Sequence, residues 1–482
     1  MNSLWAATPI LTALVLMACR ISAPYAAIAA LSCGLAVTVL MFPTPIDQVV
    51  AAEFAMVDVM VEVTLILFGG LLLNRLLTTA GSQARLGDAL ISRVRRPERA
   101  LLLIVLGVVP FAESVTGFGV GAIVGIPLLL QIGLPPLRAA VCGLLGLVIV
   151  PWGSLAPGTL VAARLAGIDF QRLGLASAEL SGIVFVVMGA AALGFGLGRS
   201  ALQRSWLDLL IMAGALWFGV WSVNYIIGTP LAGVLGSLFA IAILLLWAGR
   251  RVDVPKDKEC TLVSDMAPYG VLVSGLLATR ALGALDLIGS IERIASSPAT
   301  WLLITCAMSP LLLRLGYPRA SQLIIPVLHQ WKSVALTTVV FLMLGVLLVT
   351  SGMSDALATG ASWLGPAYPL MASWLGALGG FLTGSNIGAS AMFVSIQAQI
   401  ASAIGYPVMS MVALQNVGAS LAIMAAIPKV MMAAQVAHTT AVESKNSHVE
   451  KRRPSESAIL GRILLADAVA LTGLSLIAIL LG

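Results

Sequence analysis

Charge is what this sequence is short of. Only 10% of its 482 residues are Asp, Glu, Lys or Arg, against about a quarter in soluble domains. So little charge cannot dress a water-soluble surface, which excludes a soluble globular fold. Histidine is scarcer still, at His329, His438 and His448, and no His-Glu-x-x-His, Gly-x-Ser-Gly or Walker A pattern occurs. Those absences argue against a membrane metalloprotease and against an ATP-driven pump within this chain. The five cysteines (Cys19, Cys33, Cys142, Cys260 and Cys306) are scattered, show no metal spacing and need no disulfide. No metal site and no cofactor is expected.

What is present is apolar. Hydrophobic residues make up 59% of the chain and the mean hydropathy is +1.03. Apolar runs recur at 5–19, 22–42, 60–73, 137–157, 180–198, 206–226, 231–248, 266–279, 300–313, 334–350 and 459–481. A helical span needs roughly 20 residues, so these runs predict an all-α polytopic membrane protein of about 12–14 membrane elements. A β-barrel would show short alternating strands instead. The N-terminus lacks the positive region of a signal peptide and reads as a first retained helix. Net charge is +6, with basic clusters at 85–99, 250–258 and 443–457. The positive-inside rule puts loops 77–99, 249–258 and 443–457 in the cytoplasm and the protein in the inner membrane. Each cluster is short and borders a membrane run, which weighs against nucleic-acid binding.

The hydrophilic break at 249–265 divides the chain into transmembrane halves, 1–248 and 266–482. "TGFGVGAIVGIPLLLQIGLP" (116–135) and "TGSNIGASAMFVSIQAQIASAIGYP" (383–407) share a skeleton, both opening Thr-Gly-x-x-x-Gly-Ala and closing Gly-x-Pro. Glycine-interrupted segments in matching places point to a secondary transporter built from two inverted pseudo-symmetric repeats. Broken or re-entrant helices leave N–H groups at half-helix N-termini, where an anion is favoured. Thr116, Gly117 and Gly119, with Thr383, Gly384, Ser385 and Asn386, are then two tips facing one cavity. The competing reading is close helix packing by small residues; the amides of Asn386, Gln397 and Gln399 favour the site.

Other polar residues in the apolar runs extend the candidate set. Glu113 and Ser114 precede the first tip, and a carboxyl inside a span is a functional candidate by default, here for proton coupling. Gln415 and Asn416 either complete the cavity or bond a neighbouring helix. Arg280 either binds a carboxylate or snorkels to the interface. Lys429, beside Pro428 and near a span end, reads as a cytoplasmic or interfacial anchor. Asp58 and Glu62 share a helix face and mark an interfacial helix.

These residues resemble the L-lactate permease family of proton-coupled monocarboxylate transporters. "FAESVTGFGVGAIVGIPLLLQIGLPPLRAA" is similar to that family's E-x-x-x-GFG segment. "VAARLAGID" (161–169), "APYGVLVSGLLATR" (267–280), "SGM" (351–353), "WLGALGGFLTGSN" (374–386) and "AMFVSIQA" (391–398) follow its order and spacing. The resemblance implies uptake of lactate- or glycolate-like 2-hydroxymonocarboxylates by proton symport, and points to Glu113, Gly117, Gly119, Thr383, Gly384 and Ser385. Where the family carries an aspartate after "TGS" this chain has Asn386, which cannot titrate, so proton coupling falls to Glu113 or another carboxyl. The alternatives are a sodium-coupled or exporting carrier of another carboxylate and, less favoured, an intramembrane enzyme. The partners implied are a small organic anion and the bilayer.

Overall fold

A computed structural model describes residues 2–248, 256–285, 287, 289–443 and 453–481. Most of the basic segments 249–258 and 443–457 lies outside the described residues. Among those described there is no β-strand.

The chain opens with α1 (Asn2–Ala18), α2 (Ala23–Met41), the short α3 (Ile46–Ala55), α4 (Val57–Ala80) and α5 (Ser82–Ile91). A span then runs over Pro97–Thr116, here α6, followed by α7 (Val120–Gln131), α8 (Pro136–Leu145), α9 (Pro157–Ala166) and α10 (Phe170–Gly196). Next come α11 (Trp206–Ile226), α12 (Thr229–Ala248) and α13 (Lys256–Ala284). The rest is built on α14 (Pro298–Leu312), α15 (Ile324–Thr350), α16 (Pro369–Thr383), α17 (Asn386–Ile404), α18 (Val408–Ala422), α19 (Ile427–Glu443) and α20 (Glu456–Leu481).

Among the described residues, eleven helices are long and apolar enough to cross a membrane, or up to twelve if one bent pair counts as a span. The bent pair is α8 with the 3-10 segment Leu147–Leu155, turned by 51°. It falls in the apolar run 137–157, whose hydropathy does not reveal the bend. The run at 5–19 forms a 17-residue helix and the run at 300–313 a 15-residue one, each short of the length of the others. The break at 249–265 is helical from Lys256, where α13 begins. Segment 77–99 is mostly helix as well, since α5 occupies its middle.

Burial sorts the helices. In α6, 94% of an 18-residue window is buried, so this helix is enclosed by protein on all sides, whereas α2 shows most of its surface outward. Pro110 within α6 has no N–H to donate, and its ring presses on the preceding turn. That turn widens into a π segment, Ile104–Val108, which accommodates it. Small residues let other helices approach to backbone contact. A Cβ added at Gly376 or Gly380 of α16 would strike the backbone of Gln415 or Ala419 of α18, and one at Gly418 would strike Ser373.

Two ion pairs tie helix ends together. Arg85 of α5 grips Asp265 of α13 through Nε at 2.8 Å and Nη2 at 2.5 Å. Arg99 Nε and Trp247 Nε1 both donate to Asp208 Oδ1 at 3.0 Å, with the guanidinium over the Trp247 ring. The second cluster gathers the start of α6, the start of α11 and the end of α12, so the chain flanking the first two basic segments lies at one end of the bundle.

Arg99→Ala strands a buried Asp208 and should cost about 3 kcal/mol. Arg204→Ala removes only an exposed 3.6 Å pair with Glu98 and should cost under about 1 kcal/mol. Melting in detergent compares the two; equal shifts would deny the Asp208 cluster its role. A pH dependence follows from Glu53 on α3, which lines an apolar groove of about 420 Å³ with one carboxyl oxygen unpartnered. Burial pushes this carboxyl from 4.5 up to about 7. The folded chain therefore holds the proton more tightly than the unfolded one, and stability falls as pH rises from 4.5 through about 7. Glu53→Gln should flatten that slope in a melting series across pH.

Candidate functional site

Helices break at four places around one cavity. The first break joins α6 to α7 through Gly117, Phe118 and Gly119, whose φ angles are 68°, 58° and 83°. Left-handed backbone is cheap for glycine and strained for other residues, which explains the two glycines. The second joins α16 to α17 through Gly384, at φ 64°, and the extended Ser385. Two further breaks were not legible in the glycine pattern. Ser154, Leu155 and Ala156 are all left-handed, at 44°, 66° and 71°, where the 3-10 segment ends and α9 begins. Ala426 is extended between the 3-10 turn Ile423–Ala425 and α19. Each of these two breaks is followed by a proline: Pro157 disfavours helix in Ala156 before it, and Pro428 stands in the first turn of α19, where its missing N–H has no intrahelical partner to lose.

The cavity holds about 570 Å³. Glu113, Gly117 and Phe118 line it from the first break, and Thr383–Gly388 from the second. Gly153, Ser154, Pro157 and Gly158 border it from the third, and Ile423, Pro428 and Lys429 from the fourth. Ser333, Thr337 and Thr338 of α15 supply hydroxyls on a further wall.

Glu113 is committed to the first break. Its Oε1 accepts from Gly119 N at 2.9 Å and its Oε2 from Gly121 N at 3.1 Å. The carboxylate thus caps the α7 N-terminus from within, doing there what an N-cap side chain does at an ordinary helix start. The α17 N-terminus has a weaker lid: Ser385 Oγ accepts from Gly388 N at 3.5 Å, and Asn386, Ile387 and Gly388 face the cavity.

Lys429 is the cation of the site. Its Nζ lies against the first break, 3.3 Å from where a Cβ on Gly119 would stand, and within electrostatic reach of Glu113. Its ammonium forms no hydrogen bond or ion pair with any described residue. Sequence reading took it for an interfacial anchor. The packing of α19 against α7 and α8, which brings it into the cavity, leaves no local signal.

Behind the second break lies a polar network. Asn386 Nδ2 donates to Asn416 Oδ1 at 2.8 Å, and Asn416 Nδ2 donates to Thr159 Oγ1 at 3.1 Å and Ser177 Oγ at 2.9 Å. Thr159 Oγ1 donates to Pro151 O at 2.6 Å. The network joins α17 and α18 to α9, α10 and the third break. Gly158 is part of its fit, since a Cβ there would sit 2.6 Å from Asn386 Nδ2.

The remaining candidates lie elsewhere. Ser114 Oγ and Thr116 Oγ1 bond back to Pro110 O and Ala112 O within α6. Gln397 Nε2 donates to Ala372 O at 3.1 Å and Gln415 Nε2 to Ala389 O at 3.5 Å, so both amides brace neighbouring helices. Arg280, near the end of α13, is exposed and lines a separate cavity of about 360 Å³ with Gly228, Glu292 and Ser296. That cavity shares no lining residue with the central one. Of the sequence candidates, Glu113, Gly117 and Thr383–Asn386 line the cavity, Gly119 abuts its lysine, and Asn416 stands one layer behind. Among the described residues no cluster suits a metal ion.

The chain matches the family model described as L-lactate permease over residues 2–266 and 284–464. It is 22% identical over 361 residues to the L-lactate permease of Streptococcus iniae, covering 68% of this chain and 75% of that one. It is 24% identical to the putative L-lactate permease of Haemophilus influenzae, over 79% of this chain and 82% of that one. It is 23% identical to the glycolate permease GlcA of Escherichia coli, over 91% and 90%. Among solved structures, the YdaH transporter of Alcanivorax borkumensis aligns with a TM-score of 0.47 and 15% identity, over 90% and 87% of the two chains.

The Asn416 network yields a test. Asn416→Leu leaves Thr159, Ser177 and Asn386 short of partners and should cost about 3 kcal/mol. A melting temperature equal to the parent's would show that the network does not hold the second break.

Proposed function

The chain belongs to the L-lactate permease family of multi-pass membrane transporters, and from that premise we propose that it carries small 2-hydroxymonocarboxylates across the inner membrane together with a proton. The observation that carries this reading is Lys429, an ammonium without a partner in a cavity where four helix breaks meet. A cation so placed calls for an anion. The substrate carboxylate sits between Lys429 Nζ and the N-terminal turn of α17, where helix-end N–H groups favour negative charge. Ser154, whose Oγ is buried and unpartnered, and Thr383 or Ser385 meet the 2-hydroxyl. The names of the relatives, lactate and glycolate permeases, support this substrate class.

Inward movement of a lone anion works against the membrane potential by about 2.3 kcal/mol per 100 mV, and a co-transported proton removes that cost. Glu113 takes the proton in this scheme. Once protonated it gives up acceptor capacity and loosens its hold on Gly119 and Gly121, which opens the first break to the arriving carboxylate. Release of the proton restores the cap and dismisses the anion. The basic segments face the cytoplasm, in keeping with the positive-inside rule.

Proteoliposomes test the scheme. Labelled lactate and glycolate should accumulate under an imposed pH gradient and not under a sodium gradient alone. Lys429→Gln should raise the half-saturation concentration roughly 100-fold, the loss of one charge-assisted contact worth about 3 kcal/mol. Glu113→Gln should end gradient-driven accumulation and spare counterflow exchange. No gradient-driven flux of either acid would refute the substrate reading, and accumulation intact in Glu113→Gln would remove Glu113 from coupling.

A further inference from the structure

A second cavity, of about 280 Å³, lies beside α5 and shares no lining residue with the central one. Leu86 and Leu90 of α5, Val124 of α7, Ile241 of α12 and Met266 of α13 give it an apolar wall. Phe111 and Tyr269 close its inner end with their rings 4.9 Å apart, and Arg93 stands on its lining just past the last turn of α5. Around that arginine the sequence runs Arg93-Val94-Arg95-Arg96. Arg99 is engaged by Asp208 and Arg85 by Asp265, but the guanidinium groups of Arg93, Arg95 and Arg96 form no hydrogen bond or ion pair with any described residue. Arg95 and Arg96 are exposed. The feature therefore has two parts, a greasy slot within the membrane bundle and unneutralised guanidinium groups beside it.

These two parts together fit one kind of molecule. A small carboxylate can meet Gln83, Tyr269 and Arg93 but leaves the apolar wall uncovered. A free phosphate satisfies the arginines and leaves the slot empty, and a neutral lipid does the reverse. We propose that this cleft seats an acyl chain of an anionic phospholipid, with Arg93 holding the phosphate and Arg95 and Arg96 adding to the attraction. Guanidinium pairs with phosphate through two parallel N–H donors, and basic pockets between membrane helices suit anionic headgroups. The cleft wall includes Phe111 and Ala112, the two residues before Glu113, and Val124 on the helix that Glu113 caps. A lipid seated there touches both arms of the first break from outside the substrate cavity. This inference stands apart from the substrate and coupling readings.

The full-length protein in detergent serves for the test, titrated with dioleoyl-phosphatidylglycerol, with dioleoyl-phosphatidylcholine and with glycerol 3-phosphate. Binding is read by native mass spectrometry and by melting temperature. Phosphatidylglycerol should give a discrete adduct and the largest stabilisation, and glycerol 3-phosphate neither. Arg93→Gln should weaken phosphatidylglycerol binding roughly fivefold, the factor that about 1 kcal/mol per arginine at an anionic surface represents. Leu86→Trp should fill the slot and remove the adduct; Ala89→Leu takes its place if the tryptophan variant does not fold. Equal binding of the two lipids, a phosphatidylglycerol preference untouched by Arg93→Gln, a comparable effect of glycerol 3-phosphate, or a lipid-free dimer that excludes the adduct would each overturn the proposal.

Discussion

Backbone that leaves the helix inside a bilayer must be satisfied by protein, and at the first break one side chain does this. Both oxygens of Glu113 are spent on N–H groups at the start of α7. Much of the site's arrangement follows from that capping. Held this way, the turn brings Gly119 against Lys429, where a larger side chain would crowd the ammonium. The negative charge of the capped carboxylate makes a half-buried lysine tolerable without a direct ion pair. The second break is held differently, by the amide chain from Asn386 through Asn416 to Thr159 and Ser177. One break is thus fastened by a carboxyl and the other by neutral amides.

The sequence was most readable where glycine was doing conformational work. Gly117, Gly119 and Gly384 adopt backbone angles that other residues reach only under strain, and their spacing marked both breaks. The third break is invisible to the same logic because Ser154, Leu155 and Ala156 take left-handed angles without being glycine. Only the prolines after the third and fourth breaks hint at them, and prolines are too common in this chain to single out two. Lys429 was misjudged for a related reason. Its sequence neighbours suggest a helix end, whereas its position depends on which helices pack against α19.

Residue type misled in the opposite direction for Gln397 and Gln415. Amides in an apolar helix suggest a ligand, yet these two satisfy carbonyls of adjacent helices. Amide side chains serve either purpose, and only the three-dimensional neighbours decide between them. Arg280 lies near the end of its helix, where a long cation reaches outward, and the structure gives it a cavity of its own. The helical class was legible throughout, because apolar length in a membrane leaves few alternatives. The number of crossings was less so, since a bent pair and a 15-residue helix look much alike in hydropathy.

Gly376, Gly380 and Gly418 bring two backbones into direct touch, with no side chain between them to act as a bearing. Helices that mesh in this way cannot slide past one another without separating first. The second break and the lead-in to the fourth are therefore welded into a single rigid body. Any motion that turns the cavity from one face of the membrane to the other must carry both together, and the slippage has to occur at some other seam.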